Sequence, residues 1–386
     1  MNKAISIIRK NTMLIVLVLV YIFFTIMTKG QMFIPANFNS LIVQNAYVYI
    51  LATGMLMCML TGGNIDLSVG SVVCFIGAIG GIMMVNNGMN VGLAMLLMML
   101  AGLANGAFMG WLIAYLNIPP WIATLAGYLA YRGWGTALMK GLTIAPMPES
   151  FVNLFSSNIP DVFGVKGFNV TCMLVGVISC IVFVAIEIKS RATKIKKNYE
   201  VDSIVSMITR CVLTCAAIIL FSVKLAQYKG LPMYLVWVAI VALIYNFITS
   251  KTTVGRYFYT IGGNIEATRL SGIDTKMIMF IAYLNMQFLT VIAAWMTMAR
   301  LTAAQPTAGT NYEMDAIASC VVGGVSAYGG SGSVFGMIIG ATLIGVINLG
   351  MSLMGIDANW QKVVKGVVLL AAVVFEIMNN KDKTRV

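Results

Sequence analysis

The sequence predicts an all-α fold, a polytopic membrane helix bundle of about 10–12 transmembrane helices with two weakly related halves. Three observations predict it. Of 386 residues, 60% are hydrophobic and only 10% charged, against about a quarter charged in an ordinary soluble domain. Apolar runs long enough to cross a hydrocarbon core of about 30 Å, which takes about 20 helical residues, follow one another along the whole chain. The basic residues, which give a formal net charge of +12, gather in short connecting segments, so the charge reports orientation rather than a nucleic-acid partner. Residues 1–386 read as a single transmembrane domain with no room for a large soluble one.

The runs lie at 12–28, 38–60, 67–85, 91–116, 120–139, 170–188, 204–223, 231–249, 276–299, 333–354 and 361–378. A shorter run, 314–328, makes the count eleven or twelve. Lys3, Arg9 and Lys10 precede the first run and no small-residue cleavage site follows it, so it reads as a first helix and not a removed signal peptide. With the N-terminus cytoplasmic and all twelve runs spanning, the basic clusters at 189–197, 251–276 and 381–385 fall inside with the first one. That agrees with the positive-inside rule and puts both termini in the cytoplasm. Were 314–328 only a re-entrant hairpin, the tail KDKTRV would lie outside.

Residues 140–169, on the outer side, carry Pro146, Pro148 and Pro160 and read either as a docking surface for an extracytoplasmic partner or as a lid over the helix ends. Residues 189–231 form an extra basic and apolar insert, whose stretch SRATKIKKNYEVDS suits the inner face. Anionic lipid there attracts each basic residue by about 1 kcal/mol. Residues 250–276, KTTVGRYFYTIGGNIEATRLSGIDTK inside them, are too polar to span. They suit a short cytoplasmic helix from Asn264 to Leu270, with Asn264 as N-cap and Glu266 in the first turn. The seven cysteines all fall in apolar segments, with no C-x-x-C pair and no histidine in the chain. They read as small buried hydrophobes rather than metal or redox ligands.

The stretch TGGNIDLSVGS, 61–71, breaks the apolar sequence between two runs. Gly62 and Gly63 let the backbone leave helical geometry, which at membrane depth survives only where protein or a water-filled cavity satisfies its amides. Asp66 near the membrane interior costs about 2.5–3.5 kcal/mol and is expected to face the bundle interior or a cavity. It equally suits an N-cap at a helix start, and the two readings are compatible if that helix begins in a pathway wall. A faint repeat accompanies the break: Gly62, Gly70, Ser71, Val72 and Ile76 match Gly324, Gly332, Ser333, Val334 and Ile338 at a constant spacing. Gly70, Gly77 and Gly81, and Gly332, Gly336 and Gly340, recur on one helical face each and read as packing positions. Arg132, well inside an apolar run, either snorkels outward or pairs with Asp66 or a backbone carbonyl. No G-x-x-x-x-G-K-[ST] and no histidine relay is present, so the energy for any transport comes from elsewhere.

GGNIDLSVGS, GRYFYTIGGNIEATRLSGI and NYEMDAIASCVVGGVSAYGGSGSVFGMIIGATLIGVI resemble the membrane permeases of ATP-binding-cassette sugar importers, the ribose, xylose and galactose type of the branched-chain permease family. The resemblance runs from about Phe38 to Phe375. The ending GIDANWQKVVKGVVLL and the 189–231 section look closer to xylose and multiple-monosaccharide permeases than to the shorter ribose ones.

The resemblance implies a type II-like importer permease in the bacterial cytoplasmic membrane, not itself an enzyme. Its partners would be a second permease copy as homodimer or a pseudo-symmetric half, two ATPase subunits on the cytoplasmic face, and an extracytoplasmic sugar-binding protein. It would hold no cofactor of its own, ATP–Mg being bound by the ATPases. It also implies that the 250–276 loop couples to an ATPase through Gly255, Arg256, Gly262, Asn264, Glu266, Ala267, Arg269, Ser271 and Gly272.

Sugars take amide, hydroxyl and carboxylate partners, which Asn45, Asn64, Asp66, Ser68, Ser71, Ser326 and Ser331 supply near the breaks beside Gly62 and Gly63. Tyr47, Trp111 and Tyr128 are stacking or interfacial aromatics. The competing expectations are an ion-gradient-driven secondary transporter using Asp66, a permease for another small polar solute such as an amino acid, and a membrane scaffold or intramembrane enzyme. For an enzyme, no nucleophile and base stand at catalytic spacing.

Overall fold

The computed structural model describes residues 12–164, 167–199, 201 and 203–381. The basic residues noted at 3–10 and 383–385 lie outside them. The regular elements of the described chain are helices: α1 Thr12–Met27, α2 Pro35–Leu60, α3 Val69–Gly81, α4 Val91–Ala114, α5 Pro120–Leu138, α6 Glu149–Ser156, α7 Val170–Lys196, α8 Ile204–Ala226, α9 Met233–Lys251, α10 Thr253–Gly263, α11 Ile265–Leu270, α12 Thr275–Leu301, α13 Tyr312–Val322, α14 Val334–Leu353 and α15 Ala358–Lys381. α3 runs on into a π-helical turn, Ile82–Asn86. Among the described residues, eight helices are long and apolar enough to cross a membrane: α2, α3 with that turn, α4, α7, α8, α9, α12 and α14. The chain is a multi-pass membrane protein.

Local chemistry sets the helix starts. Asn90 Oδ1 accepts from the Gly92 N–H (2.9 Å), Asn169 Oδ1 from Cys172 N–H (2.8 Å), Asp274 Oδ1 from Met277 N–H (3.0 Å) and Ser333 Oγ from Gly336 N–H (3.0 Å). Each removes an unpaired amide from a helix end. Pro35 and Pro120 open α2 and α5, where a missing N–H costs nothing.

The core is built by α2, α3, α12, α13 and α14, with α12 packed against α2 and α4, and α3 against α5. α2 is buried along most of its length, which is why it is apolar all round and not on one stripe. α7 and α8, within which most of the basic and apolar insert falls, pack on each other as a peripheral pair with few buried residues. Cys172, Leu225 and Ala226 join this pair to Phe38 and Ile42 of α2.

The expected run 314–328 requires correction. Its helix is α13, of 11 residues, about 16 Å long and too short to cross a hydrocarbon core by itself. Gly323 and Gly324 end it, the latter at φ +82°. The preceding residues 302–311 take a non-helical course along α3: Ala304 pairs with Ile144 and packs on Gly81, whereas Gly309 lies against Gly70. From Gly81 to Gly70 is about 16 Å along the helix. This stretch and α13 together run through the bundle as one broken segment, half of it without helical hydrogen bonds.

Candidate functional site

Three glycine turns meet at the end of the bundle where α10 and α11 lie. The α2–α3 break, the 323–333 loop before α14 and the C-terminus of α10 touch backbone to backbone. The Gly330 N–H donates to Leu60 O (3.1 Å), and the Tyr259 hydroxyl of α10 donates to Gly332 O (3.1 Å). Between the glycines a side chain has no place. A Cβ on Gly63 would lie 2.0 Å from Ala327 O, and one on Gly262 would lie 2.0 Å from Leu60 O and 2.3 Å from Gly330 N. Gly63 and Gly330 also hold φ values of +73° and +70°, where L-residues are strained. The tetrapeptide GGNI occurs twice in this junction, at 62–65 and at 262–265, a signal that the sequence carries more plainly than the faint repeat at 62–76 and 324–338.

Asp66 is fully buried just behind this junction. Its Oδ1 accepts from the Ser68 N–H (2.8 Å) and hydroxyl (2.6 Å), and its Oδ2 from Gln287 Nε2 (2.8 Å) on α12. The carboxylate thus turns the chain into α3 and clips that turn to a neighbouring helix, each bond strengthened by its charge. Gln287 escaped the sequence reading, although one amide in the middle of an apolar span is a signal of this kind. Ser68 and Ser71 are equally buried, and Asn64 folds back on Thr61 O (3.1 Å). Asn45 Nδ2 donates to Leu41 O of its own helix (2.7 Å) and packs on Gly345. Ser326 and Ser331 pair through N–H and carbonyl (2.8 Å) as the stem of the glycine loop. The structure thus brings Gly62, Gly63, Asn64, Asp66 and Ser68 to one place, with Ser326 and Ser331 facing them across the junction and Asn45 more than two turns away on α2.

Of the packing glycines, Gly70 meets Gly309 O, Gly81 meets Ala304 and Ile144, Gly336 meets Gly323 O and Gly340 meets Ser319 O. Gly77 has only ordinary contacts with Met298, and Gly332 faces Val325. Arg132 takes the backbone option: its Nη1 donates to Pro306 O (2.9 Å) and Ala308 O (2.7 Å), satisfying carbonyls that the non-helical stretch leaves open.

A second polar group inside the bundle was not foreseen. Tyr47 of α2 stacks on Tyr312 (3.5 Å between ring centroids) and donates to Asp315 Oδ2 (2.8 Å), while Lys365 of α15 pairs with Asp315 Oδ1 (2.8 Å).

At the α10–α11 end, Asn264 Oδ1 accepts from Ala267 N–H (2.9 Å) and Ser271 Oγ donates to Ala267 O (2.9 Å). Gly272 ends the turn at φ +83°. Glu266 and Arg269 form an exposed ion pair (2.8 Å) on the rim of a cavity of about 380 Å³ that also takes in Ile113, Asn117, Asp274 and Lys276. Gly255 sits tight on Ile248 O, and Arg256 continues the exposed face of α10. Among the described residues no cluster of potential metal ligands occurs.

Residues 37–373 match the family described as branched-chain amino acid transport system / permease component. The chain is 35% identical over 369 residues to the xylose transport system permease protein XylH of Haemophilus influenzae, covering 96% of each. It is 33% identical over 361 residues to the protein of the same name in Escherichia coli K12, covering 94% of this chain and 90% of the relative. To the ribose import permease protein RbsC of Escherichia coli K12 it is 31% identical over 374 residues, covering 97% and 94%. No solved structure matches the chain. By the span of that match and the near-complete overlap with these relatives, the chain belongs to the branched-chain transport-system permease family.

Proposed function

We propose that this chain is the membrane permease of an ATP-driven sugar importer, a subunit that moves a monosaccharide across the bacterial cytoplasmic membrane and hydrolyses nothing itself. The observation that carries the reading is the junction of Leu60, Gly262 and Gly330. It joins an exposed polar helix pair, α10 and α11, to both breaks in the membrane-buried backbone. A chain without a nucleotide-binding loop needs such a connection, because the work of ATP must enter from a partner.

In this reading α10 and α11 face the cytoplasm and dock on separate ATPase subunits through Arg256, Glu266, Ala267, Arg269 and Ser271. The opposite end, with residues 140–164, receives a sugar-binding protein, and the permease acts as a homodimer. Both termini are cytoplasmic, the broken 302–322 crossing supplying the twelfth pass. Asn64, Asp66, Ser68, Ser326 and Ser331 border the path where the two breaks meet. The similarity to proteins named for xylose and ribose makes a pentose the solute to try first. A gradient-driven reading finds less support, since the Asp66 carboxylate is already occupied by Ser68 and Gln287.

The test is co-reconstitution with a candidate ATPase and sugar-binding protein. Binding protein loaded with D-xylose or D-ribose should stimulate ATP hydrolysis and drive uptake. Absence of stimulation across a panel of loaded monosaccharide-binding proteins overturns the reading, as does uptake that stops with an uncoupler while ATP is held constant.

A further inference from the structure

Beneath the non-helical stretch 302–311 lie three polar side-chain atoms with nothing to bond. Ser71 Oγ, Arg132 Nη2 and Glu313 Oε2 are closed off from solvent and have no hydrogen-bond partner among the described residues. Ser71 is 0% and Glu313 3% exposed. Arg132 and Glu313 lie together, and Ser71 follows the glycine that Glu313 touches. A Cβ on Gly70, the residue before Ser71, would lie 2.3 Å from Glu313 Oε2, and the Arg132 guanidinium is within electrostatic reach of the same carboxylate. Buried polar atoms are paired in the great majority of cases, so three orphans at one place need a cause.

Their chemistry is specific. Arg132 offers donors only, the Glu313 carboxyl acceptors when ionised and a donor besides when protonated, and the Ser71 hydroxyl either. With Glu313 ionised the charges balance and a charged solute would face a like charge, and a hydroxyl, which both donates and accepts, fits either state of the carboxyl. What covers them is pinned at one end, where Ala304 exchanges two backbone hydrogen bonds with Ile144 (2.9 Å each) and Thr302 O accepts from Met147 N–H (3.0 Å). Beyond Ala304 it meets α3 and α5 mainly through side chains and one glycine contact. Arg132 Nη1 binds two carbonyls of the stretch, Cys74 Sγ lies 3.4 Å from Pro306 O, and Gly309 rests bare against Gly70.

We propose that residues 302–311 are a withdrawable seal on α3, and that Ser71, Arg132 and Glu313 are hydroxyl-binding positions for a neutral polyhydroxy solute, uncovered when the seal withdraws. This rests on the permease reading and gives it a place of contact above the glycine junction.

Cys74 reports on the seal from underneath. The full chain in lipid nanodiscs, with Cys74 kept as its only thiol, is labelled with a cationic, water-soluble methanethiosulfonate. Gly309→Ala, whose new methyl would stand 2.0 Å from Gly70 O at φ +74°, should raise the labelling rate about tenfold, the effect of a shift of about one power of ten in the opening equilibrium. Gly81→Val, whose Cβ would stand 2.9 Å from that of Ala304 at the start of the stretch, should do the same and serves if the first variant does not fold. In the opened variant D-xylose or D-ribose should slow labelling, glycine betaine at equal concentration should not, and adding Ser71→Ala or Glu313→Gln should abolish the protection. No faster labelling in either folded variant overturns the seal. Faster labelling without sugar-specific protection, or protection that survives both substitutions, overturns the site. ATPase stimulation by loaded binding protein tests the permease reading separately, so a chain that passes that test and fails this one loses only the proposed site.

Discussion

Gln287 donates to the buried carboxylate of Asp66 across 2.8 Å, tying the middle of α12 to the head of α3. Asp66→Ala removes the acceptor for Ser68 and Gln287 together and leaves buried donors unpaired. The expected loss is about 2–3 kcal/mol of stability, read as a lower unfolding midpoint in mixed micelles. Asp66→Asn should cost much less stability, because Gln287 Oε1 has no partner and can turn toward the new amide. On the proposed function, Asp66→Asn still lowers sugar uptake more than it lowers assembly with the ATPase. Equal losses would reduce Asp66 to a folding cap.

Gly262→Val places a branched side chain where Leu60 O and Gly330 N leave 2.0 and 2.3 Å for a Cβ. The junction must open. The ATPase should still copurify, since the exposed face of α11 is untouched, but stimulation by loaded binding protein should fall about tenfold or more, the order expected when a coupling free energy of 1–3 kcal/mol is lost. Unchanged stimulation would remove the junction from the coupling route.

Arg269→Glu reverses one charge of the exposed Glu266–Arg269 pair. The pair itself contributes little to folding, about 0–1 kcal/mol, so the unfolding midpoint should stay put. Copurification of the ATPase should weaken, and more so at low salt, where surface charge acts over a longer range. Intact assembly at every salt concentration would refute a docking role for α11.

Lys365→Met leaves Asp315 as an unpaired buried acid, with only Tyr47 to satisfy it. The expected destabilisation is about 3–5 kcal/mol. Adding Asp315→Asn should recover most of it, which a double-mutant cycle measures directly. If the double variant is no better than the single one, the ion pair does not hold α15 to the bundle.

The membrane class, nearly every helix and the polar α10–α11 loop were legible because apolar run length and a few capping residues determine them locally. Asn264 illustrates this: one side chain and its spacing to Ala267 define the start of α11. The course of 302–311 was not legible, since it depends on partners far away in sequence. Arg132 satisfies its carbonyls across more than 170 positions, and no local pattern encodes such a pairing. The run 314–328 misled for the same reason. Its composition is that of a span, but Gly323 and Gly324 end the helix early where the loop must reach Leu60. At the candidate site the break residues stood out by their polarity. Gln287 and Lys365 did not, being single polar groups in apolar helices whose partners only tertiary packing supplies.

The absence of side chains between Leu60, Gly262 and Gly330 has a mechanical consequence. A joint made of side chains has play, because rotamers absorb part of a displacement before passing it on. Main chain pressed on main chain has none. A displacement of α10 therefore meets no rotamer at this joint that could absorb it before the ends of α2 and α14, like a linkage without backlash.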